Sequence, residues 1–218
     1  LVNPSGGIED VSEYGHLVKW IALNVRDFSI RDWESKSVIS RAQSAGLKVI
    51  PWARLAHPPY ENYLHARIYV KIMVEAARRW GSDWIIPNFE NEAETTCPPW
   101  RAKEAIELSG WKGKVGWSTQ GWLPGSSGGG QEGADYRPIN QDPVLLQIFP
   151  EDLKLAPSEI ESKQAGCILH ARIDKGFTYV GVTYQTYRAL PDWYNLSGTH
   201  SVFTGDAIVG QWAKWFPV

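Results

Sequence analysis

Glu90 and Glu92 are the residues whose type and spacing most directly suggest chemistry. They follow Trp84-Ile85-Ile86-Pro87-Asn88-Phe89, which reads as a strand, and two residues apart along such a strand is the spacing that puts both on one face. Their backbones would then lie about 6.6 Å apart. Two carboxyl groups so placed can do acid/base work on a glycosidic bond, one protonating the leaving oxygen and the other attacking carbon or activating water. Once side chains are placed, the spacing suits either a nucleophile, at about 5–5.5 Å, or a water-activating base, at about 6.5–9.5 Å. Asp27 is another candidate partner, and Asp135, Glu151 and Asp152 are further loop carboxylates; Glu94 reads more simply as a solvated charge.

Amides and aromatic rings accompany the acids. Period-two alternation sends Asn24 and Arg26 of the first strand, and Asn88 of the third, to the same side as Glu90, and Gln120, Gln147 and Gln185 fall at or just after later strands. Amides offer donors and acceptors to hydroxyl groups, and flat rings cover the apolar faces of sugars, so a polyhydroxylated ligand suits this set. Trp52 and Trp117, with Trp122 and Trp193, are the rings placed at strand ends or in loops; Trp20, Trp80 and Trp84 read as packing residues.

These residues need strands to hold them. Strands are expected at 19–25, 49–53, 84–89, 115–118, 144–149 and 179–184, with a short seventh at 202–204. Helical spacing intervenes: Val38, Ile39, Ala42 and Ala45 before Gly46; Leu64, Ile68, Ile72, Ala76 and Trp80 before Gly81; Ala102, Ala105 and Ile106 after Pro98-Pro99 and before Gly110; Ile160, Cys167, Ile168 and Ala171 before Gly176. Residues 121–142, with six glycines and no periodicity, read as a long loop, and 206–216 as a closing helix. Strands alternating with helices imply a parallel sheet. No Gly-rich phosphate or dinucleotide fingerprint follows the first strand, where the chain reads Asn24-Val25-Arg26-Asp27, so an open doubly wound sheet is disfavoured. The expected fold is α/β, a (β/α)8-type TIM barrel with one unit degenerate or missing, and in such a barrel the working face lies at the carboxyl ends of the strands.

Composition sets the outer limits. A single domain over 1–218 fits the 218 residues, 43% hydrophobic and 21% charged with net charge −2, a balance that argues against disorder and against nucleic acid as a partner. No apolar run suggests membrane insertion. The sole methionine is Met73, so Leu1 is not an initiator and a processed or longer polypeptide, with other domains of a larger assembly as partners, is expected. Cys97 and Cys167 are too few for a disulfide framework, the five histidines show no paired spacing, and neither a metal nor a cofactor is expected. Thr199-His200-Ser201 lacks a nucleophile elbow, and Gly128-Gly129-Gly130 lacks the Lys-Ser/Thr pair of a phosphate cradle. Against one Met stand 12 Trp and 9 Tyr, more rigid aromatic surface than packing ordinarily demands.

The stretch from Trp84 to Glu92 resembles the acidic strand end of glycoside hydrolase (β/α) barrels, especially the family 25 muramidases and related bacteriophage and actinobacterial glycosidase-like domains. The muramidase strand end reads Asp-x-Glu with the Glu as catalytic acid, which aligns Asn88 with the Asp and Glu90 with the Glu. Asn91-Glu92 also resembles the Asn-Glu pair presenting the acid/base in another clan of barrel glycosidases, a competing assignment. The resemblance implies hydrolysis of a cell-wall or surface polysaccharide and an extracellular or virion-associated setting. The chain departs from the pattern at Asn88, at the end of the first strand, which lacks an inward Asp, and at Thr183-Tyr184-Gln185, where a second carboxylate would be expected. A non-catalytic carbohydrate-binding or structural barrel of a phage virion or surface protein is therefore the alternative, and an enzyme of another class on the same fold is a third.

Overall fold

A computed structural model of the chain describes residues 20–25, 30–35, 37–55, 63–89, 97–120, 137–139, 142, 144–148, 179–185, 199–204 and 207–210. The strands are β1 (Trp20–Asn24), β2 (Lys48–Arg54), β3 (Trp84–Phe89), β4 (Lys114–Val115), β5 (Trp117–Gln120), β6 (Val144–Ile148), β7 (Tyr179–Gln185), β8 (Thr199–Thr204) and β9 (Ala207–Gly210). Four α-helices lie among the described residues, α1 (Ile30–Ser35), α2 (Val38–Ser44), α3 (Tyr63–Trp80) and α4 (Pro99–Leu108), with a single 3-10 turn at Arg137–Ile139. No helix among the described residues is long and apolar enough to cross a membrane.

The fold is mixed α/β and dominated by parallel pairing. β1 pairs with β2, β2 with β3, β3 with β5, β5 with β6, β6 with β7 and β7 with β8, all parallel; β9 then runs antiparallel between β8 and β1. A path of pairings that leaves β1 through β2 therefore returns to it through β9. β4 and β5 hold the same register on β3 either side of Gly116, whose N–H donates to the Ile85 carbonyl at 3.0 Å, so they are one strand with a local interruption.

Helix ends follow the sequence closely. In α2 the Gly46 N–H donates to the Gln43 carbonyl and the Leu47 N–H to the Ala42 carbonyl, the paired bonds of a left-handed helix stop, and Gly46 has φ 80°. Gly81 closes α3 with φ 71°, and Ser82 N–H reaches back to the Ala77 carbonyl at 2.9 Å. This stop turns the chain directly into β3. Side chains then tie the elements together: Gln43 Nε2 donates to the Trp80 carbonyl at 2.8 Å, Arg79 donates from Nε and Nη2 to the two carboxylate oxygens of Glu34, and Lys103 Nζ donates to the Pro138 carbonyl at 2.8 Å.

Three expectations are corrected. Described residues of the expected closing helix, 207–210, form strand β9 instead: Ile208-Val209 is a β-branched pair, and the ladders on both β8 and β1 satisfy its backbone. The strand count rises from seven at most to nine segments, with β8 reaching from Thr199 to Thr204. In α3 the buried row is Ala66, Val70, Met73, Ala77 and Trp80, whereas Leu64 and Ile68 are 63% and 44% exposed. A strict four-residue row turns about 40° per step around a helix of 3.6 residues per turn, so its beginning faces solvent and only its end, Ala76 and Trp80, reaches the core.

Replacing Gly81 with Ala forces an L side chain into the left-handed region. The expected result is a loss of about 1 kcal/mol in stability by urea unfolding; an unchanged midpoint would mean that the turn into β3 relaxes freely.

Candidate functional site at the carboxyl edge of the sheet

Both faces of the first strands are buried, as parallel strands covered on two sides require. One face is recognised by a cluster made of strand residues alone: Trp20, Ala22, Ile50, Trp52, Trp84 and Ile86. Period-two alternation continues this row to Asn24 on β1, Arg54 on β2 and Asn88 on β3. Register then carries the same face around the sheet, with Arg54 opposite Asn88, Asn88 opposite Ser118, Gln120 opposite Gln147, and Gln147 opposite Thr183. Gln185, two residues after Thr183, occupies the same face and registers with Phe203.

Along this face β1 and β3 begin with the indoles of Trp20 and Trp84, and the rows of β1, β2 and β3 end at Asn24, Arg54 and Asn88. Asn24 and Asn88 are 4% and 1% exposed, and both are engaged by other groups. Shielded amides persist only where their donors and acceptors are met, so these two form a structured polar floor. Backbone bonds extend the ladder past the strand ends: Val25 N–H donates to the Trp52 carbonyl at 2.9 Å and Leu55 N–H to the Asn88 carbonyl at 3.0 Å. Trp33, buried on α1, donates its indole N–H to the Asn24 carbonyl at 2.8 Å and so fixes the end of β1 from the helical side.

Of the residues expected from sequence, Asn24, Trp52, Asn88, Gln120, Gln147 and Gln185 hold positions on this one face. Trp52 is buried within the strand cluster, so its ring supports the floor rather than offering a stacking surface. Trp117 departs from expectation. It alternates with Ser118, lies on the other face with no exposed surface, and donates its indole N–H to Asp142 Oδ2 at 3.0 Å. Arg26, Asp27, Glu90 and Glu92 lie outside the described residues, as do Asp135, Glu151, Asp152, Trp122 and Trp193. Sequence reasoning passed over Arg54 and Ser118, although the alternation Ile50, Trp52, Arg54 carries the signal for the first. Among the described residues no group of three His, Cys, Asp or Glu could hold a metal ion.

Cys97, buried just before α4, takes no part in this chemistry. Desolvation pushes its thiol up from 9.0 to about 12, with nearby Arg101 pulling the other way, and a thiol held neutral is a poor nucleophile.

No protein-family model matches the chain, and no curated protein matches it. The solved structures to which the chain is similar include two at TM-scores below 0.5. One is the spore cortex lytic enzyme SleM of Clostridium perfringens, 10% identical, TM-score 0.42, over 80% of this chain and 53% of that one. The other is GHIP, a glycosyl hydrolase 25 of Streptococcus pneumoniae described as a virulence factor in host cell invasion, 12% identical, TM-score 0.36, over 81% of this chain and 65% of that one. The chain thus spans between half and two thirds of the length of these structures.

Two expected outcomes follow from this geometry. Trp33→Phe removes the bond to the Asn24 carbonyl and part of a buried ring, and chemical denaturation should register a loss of about 1–3 kcal/mol; a loss near zero would show that the end of β1 needs no clamp. For Cys97, the neutral thiol contributes stability fully below its unfolded value, and this is lost as pH rises through the window from 9.0 to about 12. Between pH 9 and 11 the wild type should therefore lose stability more steeply than Cys97→Ala, by up to about 1.4 kcal/mol per pH unit. Parallel pH curves would place the thiol in contact with water.

Proposed function

We propose that the chain, as one domain over residues 1–218, is a glycoside-hydrolase-like (β/α) barrel acting on cell-wall or surface polysaccharide by carboxylate acid/base catalysis. In this reading the returning path of strand pairings is the barrel wall, with β9 as its irregular unit. The observation that carries it is the row of amide positions at the carboxyl edge of one sheet face, with the buried Asn88 two residues before Glu90. Glu90 is the general acid, and Glu92 or Asp27 its partner. Gln120, Gln147 and Gln185 orient hydroxyl groups, and Asn24 and Asn88, expected from sequence to do the same, serve as the buried polar floor beneath them. Such a mechanism needs two carboxyl groups and water, with no metal or cofactor. A polysaccharide substrate places the protein outside the cell or on a virion.

One observation favours a second reading, a non-catalytic carbohydrate-binding or structural barrel of a virion or surface protein. Asn24 and Asn88 are neutral amides at strand ends where the muramidase-like pattern has acids, and both are built into a shielded floor. A barrel with that floor can grip a glycan without cleaving it.

Incubating wild type and Glu90→Gln with peptidoglycan and with soluble glycans, and measuring reducing ends, separates the readings. Catalysis predicts release that falls about 10²- to 10⁴-fold in the variant at an unchanged melting temperature. Binding without release by either protein selects the second reading, and neither binding nor release removes both.

A further inference from the structure

A sugar binder needs a flat ring that its ligand can reach, and the two rings expected at strand ends do not provide one, since Trp52 and Trp117 are both buried. The accessible ring stands on a helix instead. Of the described tryptophans six are buried, Trp111 is half-buried with its indole N–H on the Lys114 carbonyl at 3.1 Å, and Trp100 is 48% exposed. Pro99, Ala102, Ala105 and Ile106 make the covered side of α4, and Trp100, about 100° around the helix from Pro99, falls outside it. The ring is also held in place: the Arg101 guanidinium carbon lies 5.1 Å from its centroid, a cation–π contact that braces one side of the indole.

Connectivity puts this ring toward the amide-bearing pole. Helix α3 ends at Trp80, just before β3 begins at Trp84, and α4 ends at Leu108, shortly before Lys114, which registers with Trp84. The first turns of both helices therefore point toward the carboxyl ends of the strands. Helices α3 and α4 pack side by side, and Leu64 and Ile68, 63% and 44% exposed, stand in the first two turns of α3. At 1.5 Å per residue Ile68 lies about 18 Å and Trp100 about 12 Å back from the ends of their helices, so the two stand at neighbouring heights. Polar groups border them: exposed Glu104 follows Trp100 by four residues and exposed Lys71 follows Ile68 by three, the spacings that make neighbours on a helix. Apolar surface edged by such groups suits a sugar ring, whose flat faces are apolar and whose rim carries hydroxyls. Three part-exposed side chains are a small patch beside the about 800 Å² that each partner buries in a stable protein interface.

We propose that Trp100 is the stacking platform of a second polysaccharide-binding site, on the outer face of α3 and α4, with Ile68 and Leu64 extending its apolar surface. This inference rests on the sugar-binding reading above. A polymer long enough to touch both this platform and the strand-end site gains avidity that a short fragment cannot.

The test measures binding of the full chain to insoluble peptidoglycan and chitin, and to soluble fragments of each about two to four sugar units long. Wild type should bind at least one polymer more tightly than its fragments. Trp100→Ala should weaken binding to that polymer about 3- to 10-fold and leave fragment binding and the melting temperature unchanged. Trp100→Tyr should keep part of the difference, and Leu108→Ala, at the far end of α4, should change nothing. Should Trp100→Ala fail to fold, Trp100→Tyr and Trp100→Phe supply the comparison. Polymer bound no more tightly than fragments, a preference that survives Trp100→Ala, or an equal loss on both probes would overturn the platform and leave the sugar reading standing. A wild-type dimer in sedimentation that Trp100→Ala dissolves would assign the face to a second copy and overturn it as well. Binding to no polymer and no fragment would overturn both readings.

Discussion

A strand covered on both faces can carry a polar side chain only where that group's hydrogen bonds are met, and the structure follows from how this chain obeys that constraint. Along β1, β2 and β3 the early and middle positions of one face are Trp20, Ala22, Ile50, Trp52, Trp84 and Ile86, all withdrawn from water. At the carboxyl end of the row polarity enters at Asn24, Arg54 and Asn88, and at the other end only at Lys48, half-buried at the start of β2. The hydrophobic cluster makes the sheet stable, and because it fills the lower part of the face it also confines any polar chemistry to one edge.

The edge is held by means other than side-chain polarity. Backbone bonds from Val25 and Leu55 carry the ladder one step beyond the strands, and Trp33 caps the Asn24 carbonyl from a helix. These contacts come from three different segments, so the amides sit on a platform braced from within the sheet and from outside it. Rigid support of this kind is what lets a few polar groups select a ligand orientation.

Much of this was legible from sequence because it is local. Strands β1 to β3, the helix stops at Gly46, Gly81 and Gly110, and the Pro98-Pro99 helix entry each depend on a few neighbouring residues, and periodicity or φ preference identifies them. What was missed depends on distant partners. Ala207-Ile208-Val209-Gly210 becomes a strand because β8 and β1 leave a place between them, information that its own residues do not carry. Trp117 looks like a rim residue by position, but the register of β5 on β3 gives the edge to Ser118 and turns the indole toward Asp142. The α3 stripe was misread because spacing by fours resembles a helical face over two steps and leaves it over four. Arg54 was passed over because a charged residue ending an apolar run looks like a surface residue until its neighbours Asn88 and Ser118 are known.

The reversed direction of β9 brings Gly210, where it ends, into register with Trp20, where β1 begins, so these two strand ends stand side by side at the end of the sheet remote from the amides. Because β9 pairs with β8 on one side and β1 on the other, neither β9 nor β1 presents there the open backbone edge on which a second chain could add itself as a further strand.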